Sequence, residues 1–268
     1  MLRFTKMNGA GNDFVLIDNR SGAHQFSASQ IAFLSDRHRG VGADGVLLVE
    51  PATGKADFRM RYYNSDGGEA EMCGNGARCF TRFVSKITGS LADIRFETQA
   101  GIVEAKTEAE LVTLSLSRPQ DLVLSRTLEI GGIKLSTHSI NTGVPHVVTF
   151  VDDIESTPVE PWGAQIRYHP AFQPNGTNAN FIKELAPGKL VIRTYERGVE
   201  AETLACGTGV TAAGLIYAAL GEATSPVRLL VRGGDWLEVG FRKTGTGFKD
   251  VTLKGPADFV FEGSIEIP

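Results

Sequence analysis

The sequence predicts an α/β protein of the α+β type, with two pseudo-symmetric halves that each wrap a mixed β-sheet or barrel around a central helix. Three observations lead to this prediction. Short segments rich in β-branched and aromatic residues dominate the chain, helical segments are few, and one strand, turn and helix unit occurs twice. The 268 residues, of which 42% are hydrophobic, suffice for two domains of ordinary size.

The predicted elements follow one another in a regular order. Strands are expected at 46–49, 59–63, 112–116, 189–195 and 227–231. Ser27 and Gln30 have capping-box spacing, so a helix is expected to begin there and to end before Gly40. Further helices are expected over 74–88 and 207–220, each ended by a glycine. The last is apolar almost all round, which predicts burial on every side.

Composition and charge exclude several classes of function. The net charge of −4 provides no basic field that would attract nucleic acid or an anionic membrane. No apolar run approaches the roughly 20 residues that a spanning helix needs, and residues 1–6 lack the apolar region of a signal peptide. Three cysteines do not form a disulfide framework in a chain of this length. We expect a reduced, cytoplasmic protein that binds neither nucleic acid nor membrane.

The repeat predicts the domain organisation. Residues 63–76 and 195–209 each carry a tyrosine, then a glutamate, then Cys-Gly-x-Gly at the start of a helix. At nearly the same offset, Asn12 aligns with Val144, and Asp44 aligns with Asn178. We expect an N-terminal half over 1–120 and a C-terminal half over 121–258. A terminal strand over 259–268 is expected to pack back on the first half.

Cys73 and Cys206 are equivalent in the repeat, and each precedes glycines and a helix. A helix N-terminus carries unpaired N–H groups and about half a positive charge, which lowers a thiol pKa from about 8.5 toward about 3.5–7.5. A free cysteine is often only a small buried hydrophobic residue, but two at equivalent glycine-rich helix starts indicate function. Cys79 lies on another side of the first of these helices and is assigned to packing.

Two equivalent thiols predict inversion of a stereocentre without a cofactor. One thiolate would take the α-proton of an amino acid, while the opposite thiol delivers a proton to the other face. Two helix N-termini would hold the α-carboxylate and stabilise the charge that develops on it. We therefore expect an amino-acid racemase or epimerase that needs neither pyridoxal phosphate nor a metal.

Other interpretations use the same residues. A dithiol redox protein would cycle a disulfide between Cys73 and Cys206, because nearby thiols with lowered pKa oxidise readily. A thiol hydrolase would pair Cys206 with His146, but it leaves Cys73 unexplained. The Gly-x-Gly-x-x-Gly pattern at 40–45 follows a helix and precedes a strand, the reverse of a dinucleotide site. The redox protein stays the main alternative of another class.

Four motifs, in this order, resemble those of the diaminopimelate epimerase family along nearly the whole chain. They are Asn-Gly-Ala-Gly-Asn-Asp-Phe at 8–14, Cys-Gly-Asn-Gly-Ala-Arg-Cys at 73–79, Tyr-Glu-Arg-Gly at 195–198 and Ala-Cys-Gly-Thr-Gly at 205–209. Proline and hydroxyproline racemases share the two-cysteine arrangement. They typically carry a histidine where this chain has Asn75, and they stay the alternative within this chemistry.

The resemblance implies interconversion of LL- and meso-2,6-diaminopimelate, a step toward lysine and cell-wall precursors, by a homodimer. Cys73 and Cys206 would form the acid/base pair, and His146 and Glu196 would adjust their pKa. The remaining polar groups would bind substrate; the full set of expected contacts is Asn12, Asn64, Gly74, Asn75, Asn178, Glu196, Arg197, Gly207 and Thr208.

Two positions depart from the family pattern. Val144 stands where the family often has asparagine in an Asn-Pro-His run, so binding of the distal carboxylate is expected to differ. Asp44 stands where many members have glutamine, and neither position is carried over as a binding residue. Asn12 and Asn178 also belong to a residue type that is common in turns, so a purely structural role stays open for both.

Overall fold

The computed structural model describes residues 1–89, 93–221, 223–245 and 247–268. Within these ranges the chain forms 18 β-strands, four α-helices and one short 3-10 helix. Its internal contacts divide it into two compact units. Unit 1 comprises Met1–Leu114 and Gly255–Pro268, and unit 2 comprises Ser115–Lys254. The predicted fold class, a mixed α+β protein with two similar halves, is confirmed.

Unit 1 wraps a sheet around one helix. Its elements are β1 (Leu2–Gly9), β2 (Asn12–Asp18), α1 (Ala28–Ser35), β3 (Gly45–Pro51), β4 (Phe58–Asn64), β5 (Glu69–Ala70), α2 (Gly74–Thr88), β6 (Asp93–Thr98), β7 (Gly101–Glu108) and β8 (Leu111–Ser115). Strands β2 and β3 are parallel, as are β4 and β6, and the other neighbouring pairs are antiparallel. Helix α2 contacts β1 to β4 and also β7, so the sheet curves around it.

Unit 2 repeats this order. Its elements are β9 (Gln120–Ile130), β10 (Ile133–Asn141), β11 (Pro145–Phe150), α3 (Val159–Arg167), the 3-10 helix (Pro170–Phe172), β12 (Asn178–Ala186), β13 (Lys189–Glu196), β14 (Ala201–Thr203), α4 (Gly207–Leu220), β15 (Val227–Leu230), β16 (Trp236–Thr244) and β17 (Gly247–Pro256). Its parallel pairs are β11 with β12 and β13 with β15, matching those of unit 1.

The terminal strand completes unit 1. Strand β18 (Asp258–Ile265) pairs antiparallel with β1, as β9 pairs antiparallel with β10 in unit 2. One alignment made from the sequence was wrong by a residue. In the parallel ladders Phe14 pairs with Gly45, and His146 pairs with Asn178, so Asn178 is equivalent to Gly45 and not to Asp44. The reason is that the connection into β12 is longer than the connection into β3.

The helix ends follow local chemistry. Ser27 accepts from the backbone N–H of Gln30, and the Gln30 side chain accepts from the backbone N–H of Ser27, so the predicted capping box is present. Helix α2 ends where Gly89 adopts a left-handed conformation with φ of 82°, which costs glycine little. Helix α4 ends at Leu220, and Gly221 is extended.

The central strands are buried on both faces, which explains their unbroken apolar runs. In unit 1, Val15 and Val46 face helix α1, while Phe14 and Leu47 face helix α2. Helix α4 is buried along nearly its whole length, as its composition predicts. Among the residues that the structure describes, no helix combines the length and the apolar character needed to cross a membrane.

Candidate active site

Cys73 lies at the N-terminus of the central helix of unit 1. It is the N-cap of α2, with extended backbone angles of −136° and 122°, and it is half-buried. Its carbonyl accepts the first helical hydrogen bond from the Ala77 N–H at 2.8 Å. The thiol therefore lies where unpaired backbone N–H groups and the positive end of the helix dipole favour negative charge.

The amide of Asn12 is held in one orientation beside this thiol. Its Oδ1 accepts from Cys73 Sγ at 3.5 Å and from Asn75 Nδ2 at 3.4 Å. Its Nδ2 donates to Asp44 Oδ2 at 2.5 Å. Arg78 fixes the other amide, since it donates to Asn75 Oδ1 at 3.0 Å. Because a carboxylate only accepts and a guanidinium only donates, these two charged groups turn Oδ1 of Asn12 toward Cys73 and Nδ2 of Asn75 toward Asn12.

Asp44 belongs to a cluster of charged side chains. Arg37 donates to Asp44 Oδ1 at 2.8 Å and to the two oxygens of Asp13 at 2.8 and 2.9 Å. Lys6 pairs with Asp13 at 2.7 Å. Burial by itself would raise the pKa of Asp13, but hydrogen bonds from Arg37 and Lys6 outweigh it and hold the pKa well below its usual range. The cluster therefore fixes the carboxylate that anchors Asn12.

Cys206 has the equivalent place in unit 2. It is the N-cap of α4, with angles of −119° and 106°, and its carbonyl accepts from the Val210 N–H at 2.9 Å. Its Sγ lies 3.5 Å from Thr208 Oγ1, and it also hydrogen-bonds to the carboxyl group of Glu196. The two cysteines thus share a backbone setting but have different polar neighbours.

Glu196 ends strand β13, and its carboxyl group accepts from Thr203 Oγ1 at 3.0 Å. Burial raises the pKa of Glu196, and the hydrogen bonds from Thr203 and Cys206 offset part of that shift. The raised pKa favours the protonated form of this carboxyl group, which is in contact with a thiol.

His146 lies on β11 and is 1% exposed. Burial lowers the pKa of His146 to about 3, and the positive charge of Arg197 adds to the shift, so the ring is neutral at physiological pH. Its Nδ1 lies 3.2 Å from Nδ2 of Asn180, which also donates to the Val147 carbonyl at 2.8 Å. A Cβ added at Gly209, in the first turn of α4, would lie 3.4 Å from Cε1 of His146. The imidazole therefore packs against the helix start that carries Cys206.

Asn178 and Arg197 form a separate group. Asn178 Nδ2 donates to the Pro145 carbonyl at 2.9 Å, and its Oδ1 accepts from the Arg197 N–H at 2.8 Å. The Arg197 guanidinium donates to the Asn175 carbonyl at 2.9 Å. Both ends of the Asn178 amide are thus hydrogen-bonded to backbone groups, so this side chain holds the turn that carries Arg197 in place.

Asn64 is exposed at the end of β4, where its backbone closes a turn with Gly67 and Gly68. Gly74 opens α2, and a Cβ added there would meet nothing within 4 Å. The structure thus brings Asn12 and Asn75 to Cys73, and Glu196 and Thr208 to Cys206. The predicted roles in catalysis and substrate binding stay predictions.

Comparison with known proteins decides the family. The family model for diaminopimelate epimerase matches residues 4–117 and 138–259. A diaminopimelate epimerase of Aquifex aeolicus is 40% identical over 98% of this chain and 98% of its own length. That of Chlorobaculum tepidum is 42% identical, covering 97% of this chain and 100% of its own. The chain belongs to the diaminopimelate epimerase family.

Solved structures show the same fold at low sequence identity. A PhzF-family phenazine biosynthesis protein of Bacillus anthracis has a TM-score of 0.73 and 16% identity, with 99% of both chains covered. A hydroxyproline epimerase of Agrobacterium vitis has a TM-score of 0.70 and 17% identity, covering 98% of this chain and 91% of its own. Both show that this member of the diaminopimelate epimerase family has a fold found in proteins of distant sequence.

Sequence reasoning missed several polar residues of the site. Asp44, Arg78 and Asn180 were not among the expected contacts, yet each fixes a side chain beside a cysteine or His146. Asn180 left a usable signal. It lies two residues after Asn178 on β12, so strand alternation points both side chains to the same face of the sheet. In this member of the diaminopimelate epimerase family, that face also carries His146.

Proposed function

We propose that the chain interconverts LL- and meso-2,6-diaminopimelate by exchanging one α-proton between Cys73 and Cys206. Family membership supports the isomerase activity and the small-molecule substrate. The observation that supports the mechanism is that both units present a cysteine as the N-cap of a buried central helix. The reaction needs no cofactor, because the two thiols supply and accept the proton.

Each step conserves atoms and charge. A thiolate takes the α-proton, so that an S–H bond forms while the C–H bond breaks and its electron pair delocalises into the α-carboxylate. The other thiol then gives its proton to the opposite face of the carbon and becomes the thiolate. Each cysteine is therefore the base in one direction and the acid in the other.

The helix N-termini support the groups proposed for the reacting carboxylate, and the family resemblance supports the other proposed contacts. The amides of Gly74 and Asn75 in α2, and of Gly207 and Thr208 in α4, are helix N-terminal groups that favour an anion. We assign them to the reacting carboxylate. The proposed contacts with the rest of the substrate are Asn12, Asn64, Asn178, Glu196 and Arg197. Glu196 and His146 are proposed to adjust the pKa of the two cysteines, and the family resemblance also leads us to propose a cytoplasmic homodimer.

The first experiment is proton NMR of LL-diaminopimelate in D₂O with reduced protein. We expect loss of the α-proton signal together with appearance of the meso isomer. If the α-proton signal persists and no meso isomer appears, and proline is also inert, the epimerase is refuted and the dithiol redox protein is favoured.

Single-thiol variants test the mechanism. Cys73→Ala and Cys206→Ala should each lose epimerisation, because one partner of the proton exchange is missing. The remaining thiol should still exchange deuterium into one isomer with retention, and the two variants should select opposite isomers. Cys79→Ala is the matched control, since Cys79 is fully buried and burial raises its pKa to about 12. Epimerisation by either single-thiol variant at the rate of this control would contradict the two-thiol mechanism.

A further inference from the structure

The amide of Asn180 has a single possible orientation. The side chain is 1% exposed, and its Oδ1 accepts from Thr194 Oγ1 at 2.9 Å. Its Nδ2 donates to the Val147 carbonyl at 2.8 Å. Reversing the amide would bring two acceptors together at that distance, so the contact with Val147 excludes the reversed orientation.

This orientation determines the tautomer of His146. Asn180 Nδ2 lies 3.2 Å from His146 Nδ1 and can only donate. Nδ1 must therefore carry the lone pair, which leaves the ring proton on Nε2. Because burial lowers the pKa of His146 to about 3, the ring does not gain a second proton near neutral pH.

The Nε2–H group is a donor without an acceptor among the described residues. Nε2 of His146 is buried, and no side chain or backbone group of the described residues accepts from it. Cε1, the ring carbon between Nδ1 and Nε2, packs against Gly209 in the first turn of α4. A buried donor beside a helix N-terminus is suited to an anion bound there.

Unit 1 shows that this polar pair is not required by the fold. A Cβ at Gly76 would meet Phe14 and Leu47, while a Cβ at the equivalent Gly209 would meet His146 and Asn180. The same two positions thus hold an apolar pair in unit 1 and a hydrogen-bonded pair in unit 2.

We propose that Asn180 is a positioning residue that holds His146 as its Nε2–H tautomer, so that His146 donates to an anion at the N-terminus of α4. Under the proposed function, on which this part rests, that anion is the α-carboxylate of the substrate. His146 then stabilises charge as a donor and does not take a proton from Cys206. The tautomer itself requires no substrate and is independent of the proposed function.

Nitrogen NMR of protein labelled with ¹⁵N-histidine tests the tautomer directly. We expect His146 to show an unprotonated Nδ1 and a protonated Nε2, unchanged between pH 8 and pH 5. The resonances are assigned by their loss in His146→Gln. His138 is an internal reference, because its Nδ1 accepts from the Ser125 N–H at 3.1 Å and requires the same tautomer. A protonated Nδ1 on His146 at neutral pH would overturn the proposal.

Two variants test the positioning role. Asn180→Leu reproduces the arrangement at Leu47 and removes the donor, so both tautomers of His146 should appear and kcat should fall about tenfold, with KM changed less than about twofold. Asn180→Asp offers an acceptor, so the proton should move to Nδ1 and kcat should fall about a hundredfold. Leu47→Met is the control and should leave both the spectrum and kcat unchanged.

The outcomes separate the two proposals. A mixed tautomer in Asn180→Leu with kcat unchanged would refute the positioning role. Wild-type protein with the expected spectrum but no epimerase activity would refute only the proposed function, and the anion assigned to His146 would be lost with it.

Discussion

Adding one methyl group at Gly209 tests how tightly the start of α4 packs against the histidine. A Cβ at this position would lie 2.4 Å from Asn180 Oδ1, well inside van der Waals contact. Asn180 cannot move away easily, because it is hydrogen-bonded to Thr194, Val147 and His146. Gly209→Ala should therefore displace the side chain that sets the tautomer of His146.

Gly76 supplies the matched control at the equivalent position of α2. A Cβ there would lie 3.4 Å from its nearest neighbours, which is ordinary contact. Alanine in place of a helical glycine gains up to about 1 kcal/mol of stability, whereas overpacking costs about 1–3 kcal/mol. We expect Gly76→Ala to be slightly stabilised and Gly209→Ala to be less stable by about 1–3 kcal/mol in comparison with it.

Thermal unfolding and initial rates of epimerisation, measured on both variants, test this prediction. Gly209→Ala should unfold at a lower temperature than Gly76→Ala. Its kcat should fall by about tenfold, the effect of losing one buried hydrogen bond. If the two variants are equally stable and equally active, the contact between α4 and Asn180 does not constrain the site and the reasoning is refuted.

Three further predictions concern the electrostatics of the site. Asp44→Asn should lower kcat by about tenfold, because a charge-assisted hydrogen bond to Asn12 is lost at a partly exposed site. Adding Arg37→Gln to this variant should restore part of the rate in a double-mutant cycle. His146→Gln should lose less stability on acidification than wild type. In wild type, the pKa of His146 is about 3 in the folded protein and about 6.5 in the unfolded chain, so protonation favours the unfolded state. The free energy of unfolding therefore falls by about 1.4 kcal/mol for each pH unit below about 6.5. Urea unfolding at pH 7, 6 and 5 measures this slope. Glu196→Gln should gain stability relative to wild type at pH 8 but not at pH 4, because a carboxyl group with a raised pKa opposes folding only once it is ionised; equal gains at both pH values would contradict the burial argument.

The helices that carry the cysteines could be predicted because their signals are local. The glycines after Cys73 and Cys206, and the glycine at the end of α2, mark helix boundaries through backbone conformation. The repeat was also visible, because it preserves these local patterns in the same order. The strand register could not be predicted, because it depends on the length of a connection whose residues carry no periodic signal.

The side-chain network was harder to predict because it depends on contacts between residues far apart in sequence. Asp44 reaches Asn12 across a parallel strand pair, and Asn178 uses its amide to hold the Arg197 turn. The family resemblance suggested a substrate contact for each asparagine, and residue type left a purely structural role open for both. Only the geometry shows that the Asn178 amide is already engaged at both ends, whereas Asn12 keeps its oxygen turned to Cys73.

The duplicated fold explains why the two cysteines share a backbone setting and yet have different neighbours. The strand, turn and helix arrangement fixes the helix N-terminus in both units, because it depends on backbone geometry and glycine positions. The residues packed against the first helical turn have only to fill similar volumes, so Phe14 and Leu47 in one unit correspond to His146 and Asn180 in the other. The substrate of the proposed reaction is not symmetric about its α-carbon, and its two faces therefore require different surroundings. A duplicated backbone with divergent contacts would supply both in the proposed reaction: equivalent thiols to exchange one proton, and an unequal set of donors to distinguish the two faces.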